Sequence, residues 1–292
     1  MPFLPSPLAA LAQRLGLAGR VPRQILARAR ALRLPFQPLP AVPESIWWQA
    51  DPPLQRLIDL PRDALSGPVQ DDKAAARTVL MRVIEQEQRD LDAIDLRRID
   101  GLSGSDPLAP AYASLEDYSK TPECRHIRII SYRDFLKTSG LALPALAGEG
   151  TLQLRQAGWR GSRLFLAGDQ HPQALACAIV YARRRGLEVV RPAELTHYRL
   201  SRDGLSELRR RYHVLGMPVE AWSDPAFMGL LLDNRLPYAR LALLRQNGAP
   251  EFLLLPRQHA AADALGEGLR LAGAPDVVAT LAEQEAATQL PA

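Results

Sequence analysis

The stretch that most constrains this chain runs from Leu152 to Leu200. Two short apolar runs, Leu152–Arg155 and Leu164–Leu166, flank Gly158 and Gly161 and read as a hairpin. A polar turn follows, Gly168-Asp169-Gln170-His171, and Pro172 stands where a helix begins. An apolar helix then runs to Arg183-Arg184-Arg185, with Gly186 just past its end. Glu188–Arg191 and Thr196–Leu200 are extended again. A strand-turn-helix-strand unit of this kind must bury the apolar helix against a sheet. The expected fold class is therefore mixed α/β (α+β), with a small mixed sheet surrounded by helices.

Other segments are read onto that core. The spacing of Ala76, Val79, Leu80, Val83, Ile84, Leu91 and Ile94 predicts one long amphipathic helix over Asp71–Asp95. Such a helix could pair with a second copy of itself in a homodimer. His126–Ile130 reads as a strand, and Ser131 as the cap of a helix over Tyr132–Lys137. Residues 100–122 have loop composition. Asp203-Gly204 opens a helix through Leu205, Leu208 and Tyr212, and Asp224-Pro225 opens another over Ala226–Leu232. Leu241–Arg245 and Phe252–Leu255 form a hairpin around Asn247-Gly248 that is expected to extend the central sheet. Alanine-rich helices near Ala260–Leu271 and Asp276–Ala287 finish the chain.

The N-terminal 43 residues differ in texture. Eight prolines interrupt two apolar stripes, one on Leu8, Leu11, Leu15 and Leu17 and one on Ile25, Leu26 and Leu32. The second is decorated by Arg23, Arg28, Arg30 and Arg33, and reads as a strap across the main domain with its arginines in water. The organisation expected is an Arg/Pro-rich arm (1–43), a helical segment (44–122) and an α/β core domain (123–292). Trp47 and Trp48 are adjacent; from a regular strand or helix only one can face a core, leaving the other for a surface or partner.

Several functions find no support in the residues. No apolar run approaches the ~18 residues of a membrane helix, and no secretory leader opens the chain, so the default address is cytoplasmic. Cys124 and Cys177 fit a reducing compartment and no disulfide framework. The five histidines show no metal-ligand spacing, so no metal is expected. Phosphate-loop and nucleophile-elbow motifs are absent, and no cofactor is implied.

Charge is the remaining guide. Net charge is only +4, but residues 151–213 carry 12 basic and 5 acidic side chains, between a block at −5 (44–150) and one at −4 (214–292). There are 33 arginines against three lysines. Arginine forks suit phosphate, so Arg160, Arg163, Arg183, Arg184 and Arg185, with Gly168 at the turn, are the candidate anion- or nucleic-acid-binding set. Asp169 and His171 are the candidate catalytic residues, because backbone N–H groups at a helix start attract anions and a histidine there could add a switchable charge.

A hairpin, a glycine-containing polar turn, an apolar helix and a strand in this order resemble the core of the ParB/sulfiredoxin-like fold, over about residues 127–200. Gly168 and Asp169 match the start of that family's Gly-Glu-Arg-Arg turn; Gln170 and His171 stand where it has arginines. The resemblance implies a strand-turn-helix-strand core, without the family's nucleotide and DNA-partition roles, which depend on those arginines. The phrases at Ala167–Val189, Tyr212–Trp222 and Phe227–Leu241 also resemble those of uncharacterised bacterial and prophage-associated proteins carrying a domain of unknown function. The leading functional expectation is a cytoplasmic, non-catalytic nucleic-acid- or protein-binding module. The alternatives are an enzyme acting on a phosphorylated small molecule or nucleic acid through Gly168–His171, and a prophage-encoded protein-interaction factor.

Overall fold

A computed structural model describes residues 20–42, 44–50, 53–104, 110–147, 150–244 and 248–289. The Leu8–Leu17 stripe and Asn247 lie outside the described residues. The architecture is mixed α/β, as expected, but it holds two sheets where one was anticipated. Its contacts gather into two compact units.

The first unit comprises Met1–Pro40, Arg56–Val83 and Ser201–Gln284. Its helices are α1 (Arg20–Arg30), α2 (Gln70–Leu80), α7 (Arg202–Arg211), α8 (Pro225–Asp233), α9 (Ala260–Leu271) and most of α10 (Val277–Gln289). Its sheet has the order β1-β8-β9-β7, from Leu65–Ser66, Ala239–Leu241, Glu251–Pro256 and Tyr212–Met217, with every pairing antiparallel. Every residue of β7 is buried, which is the pattern of a strand covered on both faces. The hairpin read around Gly248 therefore belongs here, as β8 and β9, and not to the central sheet.

Ile25, Ala29 and Leu32 of the proline-punctuated segment enter this unit's core beside Leu230, Leu265 and Leu269. Gly268 makes that approach possible. A Cβ built on it would lie 2.6 Å from the Ala29 Cβ and 2.8 Å from the Leu26 carbonyl oxygen. Gly266-Glu267-Gly268, which had no obvious role in the sequence, is thus a packing surface for α1 and for the His213 ring.

The second unit comprises Ala41–Gln55, Ile84–Leu200 and Glu285–Ala292. Its sheet has the order β2-β6-β4-β5-β3, from Ile84–Asp95, Val190–Leu200, Leu152–Ala157, Phe165–Ala167 and Gly101–Leu102. β4 pairs antiparallel with β5 and parallel with β6, and helix α6 (Pro172–Arg185) makes the crossover. The one-turn helix α3 (Leu115–Tyr118), α4 (Tyr132–Ala142) and α5 (Pro144–Ala147) complete it. Leu154, Leu166, Leu175, Ile179 and Phe135 share its core.

Four expectations are corrected here. The long helix over Asp71–Asp95 stops at Leu80, and Ile84–Asp95 is the edge strand β2. Ala76, Val79 and Leu80 do form a buried helical face. Beyond them, Glu85 meets Arg199 across the ladder at 2.8 Å, and Glu87 meets Arg89 two residues on, a pair that only an extended chain sets side by side. The single helix through which a homodimer was imagined is therefore absent, and the charged edge is of a kind that discourages strand addition. The two extended pieces after Gly186 form one strand, β6, with Pro192 inside it. Pro192 sits where the β2–β6 register shifts between Leu91 and Ile94, and such a bulge tolerates a missing N–H.

Residues 127–130 are not a strand. The Ile130 N–H donates to Asp134 Oδ2 at 3.2 Å, so that backbone is spent on the capping box that opens α4. Finally, Trp47 and Trp48 are both buried. Trp47 sits in a β-bridge and Trp48 begins a 3-10 turn, so the chain bends between them. Trp47 packs edge-on against Tyr118, and Trp48 against Phe165.

Candidate nucleic-acid interface

The polar turn is built inward. Gly168 has φ +79°, which explains a glycine there, and nothing crowds its missing side chain. Asp169 Oδ1 accepts from the Ser103 N–H at 3.0 Å, and the Gln170 N–H donates to the Ala142 carbonyl at 3.1 Å. His171 occupies the cap position of α6 without a side-chain capping bond, and it is exposed. Pro172 at the first helical position supplies no N–H. The turn thus presents a carboxylate fixed to the backbone and a solvent-facing imidazole. Among the described residues there is no group of three or more histidine, cysteine, aspartate or glutamate side chains able to hold a metal ion.

Three of the five expected phosphate-binding arginines are spent on the fold. Arg160, only 8% exposed, donates to the carbonyls of Ser45 (2.8 Å) and Trp47 (3.2 Å) and lies 4.0 Å above the Phe165 ring. Arg163 donates to the carbonyls of Asp100 and Ala113. Arg183 is the most heavily used. Its Nε meets the Arg97 carbonyl at 2.8 Å, one Nη the Ile99 carbonyl at 2.7 Å, and the other both oxygens of Glu116 at 2.8 and 3.1 Å. Burial pushes the Glu116 carboxyl up, and Arg183 more than reverses this, leaving it below the usual range. The three arginines line a cavity of about 450 Å³ together with Glu44, Asp100 and Glu116, so its formal charges cancel. Arg183 ties Arg97, Ile99 and Glu116 to α6, Arg163 ties Asp100 and Ala113 to the start of β5, and Arg160 holds the 45–48 stretch.

The remaining pair, Arg184 and Arg185, is exposed at the C-terminal end of α6. The start of α4 lies beside that end: the Tyr181 hydroxyl donates to the Ile130 carbonyl, and the Tyr181 and Phe135 rings stack at 6.0 Å. This neighbour brings Arg125, Arg128, Arg133 and Lys137, all exposed. None of these six basic side chains has a carboxylate within 4.0 Å among the described residues, whereas most arginines elsewhere in this unit do, or donate to carbonyls. Asp134, the acid within this segment, is held below its usual range by the Ser131 hydroxyl and backbone N–H groups as the helix cap, with a smaller pull from Lys137.

Between the charges lie Ile130 at 76%, Tyr132 at 57% and Leu136 at 49% exposure. Tyr132 stacks on Phe135 at 6.0 Å, so its ring is backed from the core. A supported aromatic ring amid unpaired guanidinium groups can stack a base while the arginines track phosphates. Sequence reading found Arg184 and Arg185 but missed the other four. Residues 125–137 carry four arginines or lysines and one aspartate, a signal averaged away inside a 44–150 block at −5.

No curated protein and no solved structure matches the chain. Residues 89–292 match a family described as a family of unknown function (DUF6685), a match that includes all of the basic surface and every candidate site residue. With well over half of its length so matched, the chain belongs to the DUF6685 family.

Proposed function

We propose that this chain is a cytoplasmic, non-catalytic protein that binds single-stranded nucleic acid on the surface formed by the 125–137 segment and the end of α6. The observation that carries this reading is a set of six exposed basic side chains with no carboxylate within 4.0 Å among the described residues, Arg125, Arg128, Arg133, Lys137, Arg184 and Arg185, on the segment that carries the exposed Tyr132 and on the end of α6. Like charges gathered on one surface repel one another, and a polyanion relieves that repulsion. The exposed arginines of α1 form another basic face, but Val21 is the only large hydrophobic exposed among them, with no aromatic ring. That difference favours the second unit's surface for single strands.

The reading excludes the cavity arginines as phosphate ligands, since each would first have to leave its carbonyls. The test is fluorescence anisotropy of the full chain with a labelled 12-nucleotide single strand and its duplex, from low to high salt. Saturable binding that prefers the single strand and weakens steeply with salt supports it. An absence of binding at low salt refutes it.

A further inference from the structure

Helix α1 and the residues just after it carry five arginines that the fold does not use. Arg20, Arg23, Arg28, Arg30 and Arg33 are all exposed, and among the described residues none has a carboxylate within 4.0 Å or a side-chain hydrogen bond. Residues 1–43 hold no acidic side chain to pair with them. The inner face of the helix is spent on packing: Ile25, Ala29 and Leu32 are buried, and Ala29 sits against Gly268 of α9. The outer face is thereby held in one geometry. Arg20, Arg23 and Arg30 recur there at i, i+3 and i+10, which sets them on one stripe with the small, exposed Ala27 in the gap.

Helix stability does not account for this stripe. The aligned peptide dipoles leave the N-terminal end of a helix partly positive, so cations are favoured in the last turn and disfavoured in the first. Arg28 and Arg30 obey that rule. Arg20 and Arg23 oppose it, with no acid in the first turn to offset them.

We infer that the Arg20, Arg23 and Arg30 stripe docks on the phosphate backbone of duplex DNA. The 11 residues of α1 extend about 16 Å, and one strand of a duplex presents about five phosphates over that length. Guanidinium forks match phosphate oxygens. A single strand would find no ring here to stack its bases on, because α1 has no aromatic residue; a duplex keeps its bases stacked inside itself. An anionic membrane is held by inserted apolar side chains as well as by charge. Those of α1 face the protein's own core, and its only exposed large hydrophobic is Val21, at 49%. Three phosphate contacts release about 2.7 counterions, against about four for the six cations near Tyr132, so the duplex binds more weakly than the single strand. The two surfaces share no residue, and this one stands whether or not the other binds anything.

The experiment titrates the full chain with a short labelled DNA duplex by anisotropy at several salt concentrations, beside the single strand and beside vesicles containing phosphatidylserine. Replacing Arg20 and Arg23 together by glutamine should make the slope of log K against log salt about 1.8 units shallower for the duplex and weaken its binding about 60-fold at 0.1 M salt. Single-strand affinity should stay within about twofold, and Tm should be unchanged or raised, since two cations leave the first turn. No duplex binding at low salt, duplex binding that survives these substitutions, or retention on the vesicles without duplex binding would overturn the inference. So would a fall in Tm in the double variant, which would give the arginines to the fold. Loss of single-strand binding alone would refute the other surface and leave this one standing.

Discussion

Replacing Arg184 and Arg185 together by glutamine removes two of the six unpaired cations while leaving Arg183 on Glu116 and the Arg97 and Ile99 carbonyls. For a single strand, each phosphate neutralised releases about 0.7 of a counterion. Six contacts then give a slope of log K against log salt near −4, and the double variant should show a slope about 1.4 units shallower. At 0.1 M salt the lost release corresponds to about 2 kcal/mol, or roughly 25-fold weaker binding. The cost to the fold is small, because each exposed charge at a helix C-terminus contributes only about 0.3–1 kcal/mol. Anisotropy titrations at four salt concentrations, with Tm measured on the same samples, read both quantities. An unchanged slope, or a loss of affinity independent of salt, would refute the assignment of these arginines to phosphate.

Other perturbations separate scaffold from surface. Arg183→Ala should destabilise the second unit by about 3 kcal/mol in urea denaturation, since charged hydrogen bonds are lost and Glu116 is left unpaired; affinity per folded molecule should stay within about twofold. Gly268→Ala, ordinarily a gain of about 1 kcal/mol in a helix, should instead lower Tm, because the added Cβ meets Ala29 and the Leu26 carbonyl; an unchanged or higher Tm would mean α1 does not sit there. His213 is buried, and burial lowers its pKa against the opposing pull of Asp263 at 2.7 Å. The unfolded chain therefore binds the extra proton first, and stability falls as pH drops below about 6.5. Thermal scans at pH 7.5 and 5.5 should show this loss, before the depressed carboxyls of Glu116 and Glu207 begin to titrate; His213→Gln should reduce it, leaving the share of His197, whose pKa burial also lowers.

Local signals were legible where one residue type decides the backbone. Ser131 and Asp224 cap the helices they were read to cap, and Pro172 opens α6, whereas the helix read to open at Asp203-Gly204 is capped by Ser201. Pairings between distant segments were not. The run after Leu80 has good helix formers, and only its partner Val190–Leu200 makes it a strand. Tyr212 continues the helical spacing of Leu205 and Leu208, yet it begins β7 because Pro256 pairs with it. Of the candidate site, arginine clustering pointed to the end of α6 but could not separate Arg183, turned onto carbonyls, from the exposed Arg184 and Arg185. That distinction lies in helix phase against a 96–118 segment whose position no sequence spacing encodes. The aromatic element, Tyr132, was visible only as a helix residue beside Ser131.

The most direct measurement is photocrosslinking of a bromodeoxyuridine-containing single strand to the full chain, followed by peptide mapping. The expected result is a dominant crosslink at Tyr132 or its immediate neighbours between Arg128 and Leu136, lost in Tyr132→Leu and suppressed by salt. Crosslinks confined to the arginines and neighbours of Arg20–Arg33, or to the turn at Gly168–His171, would contradict it.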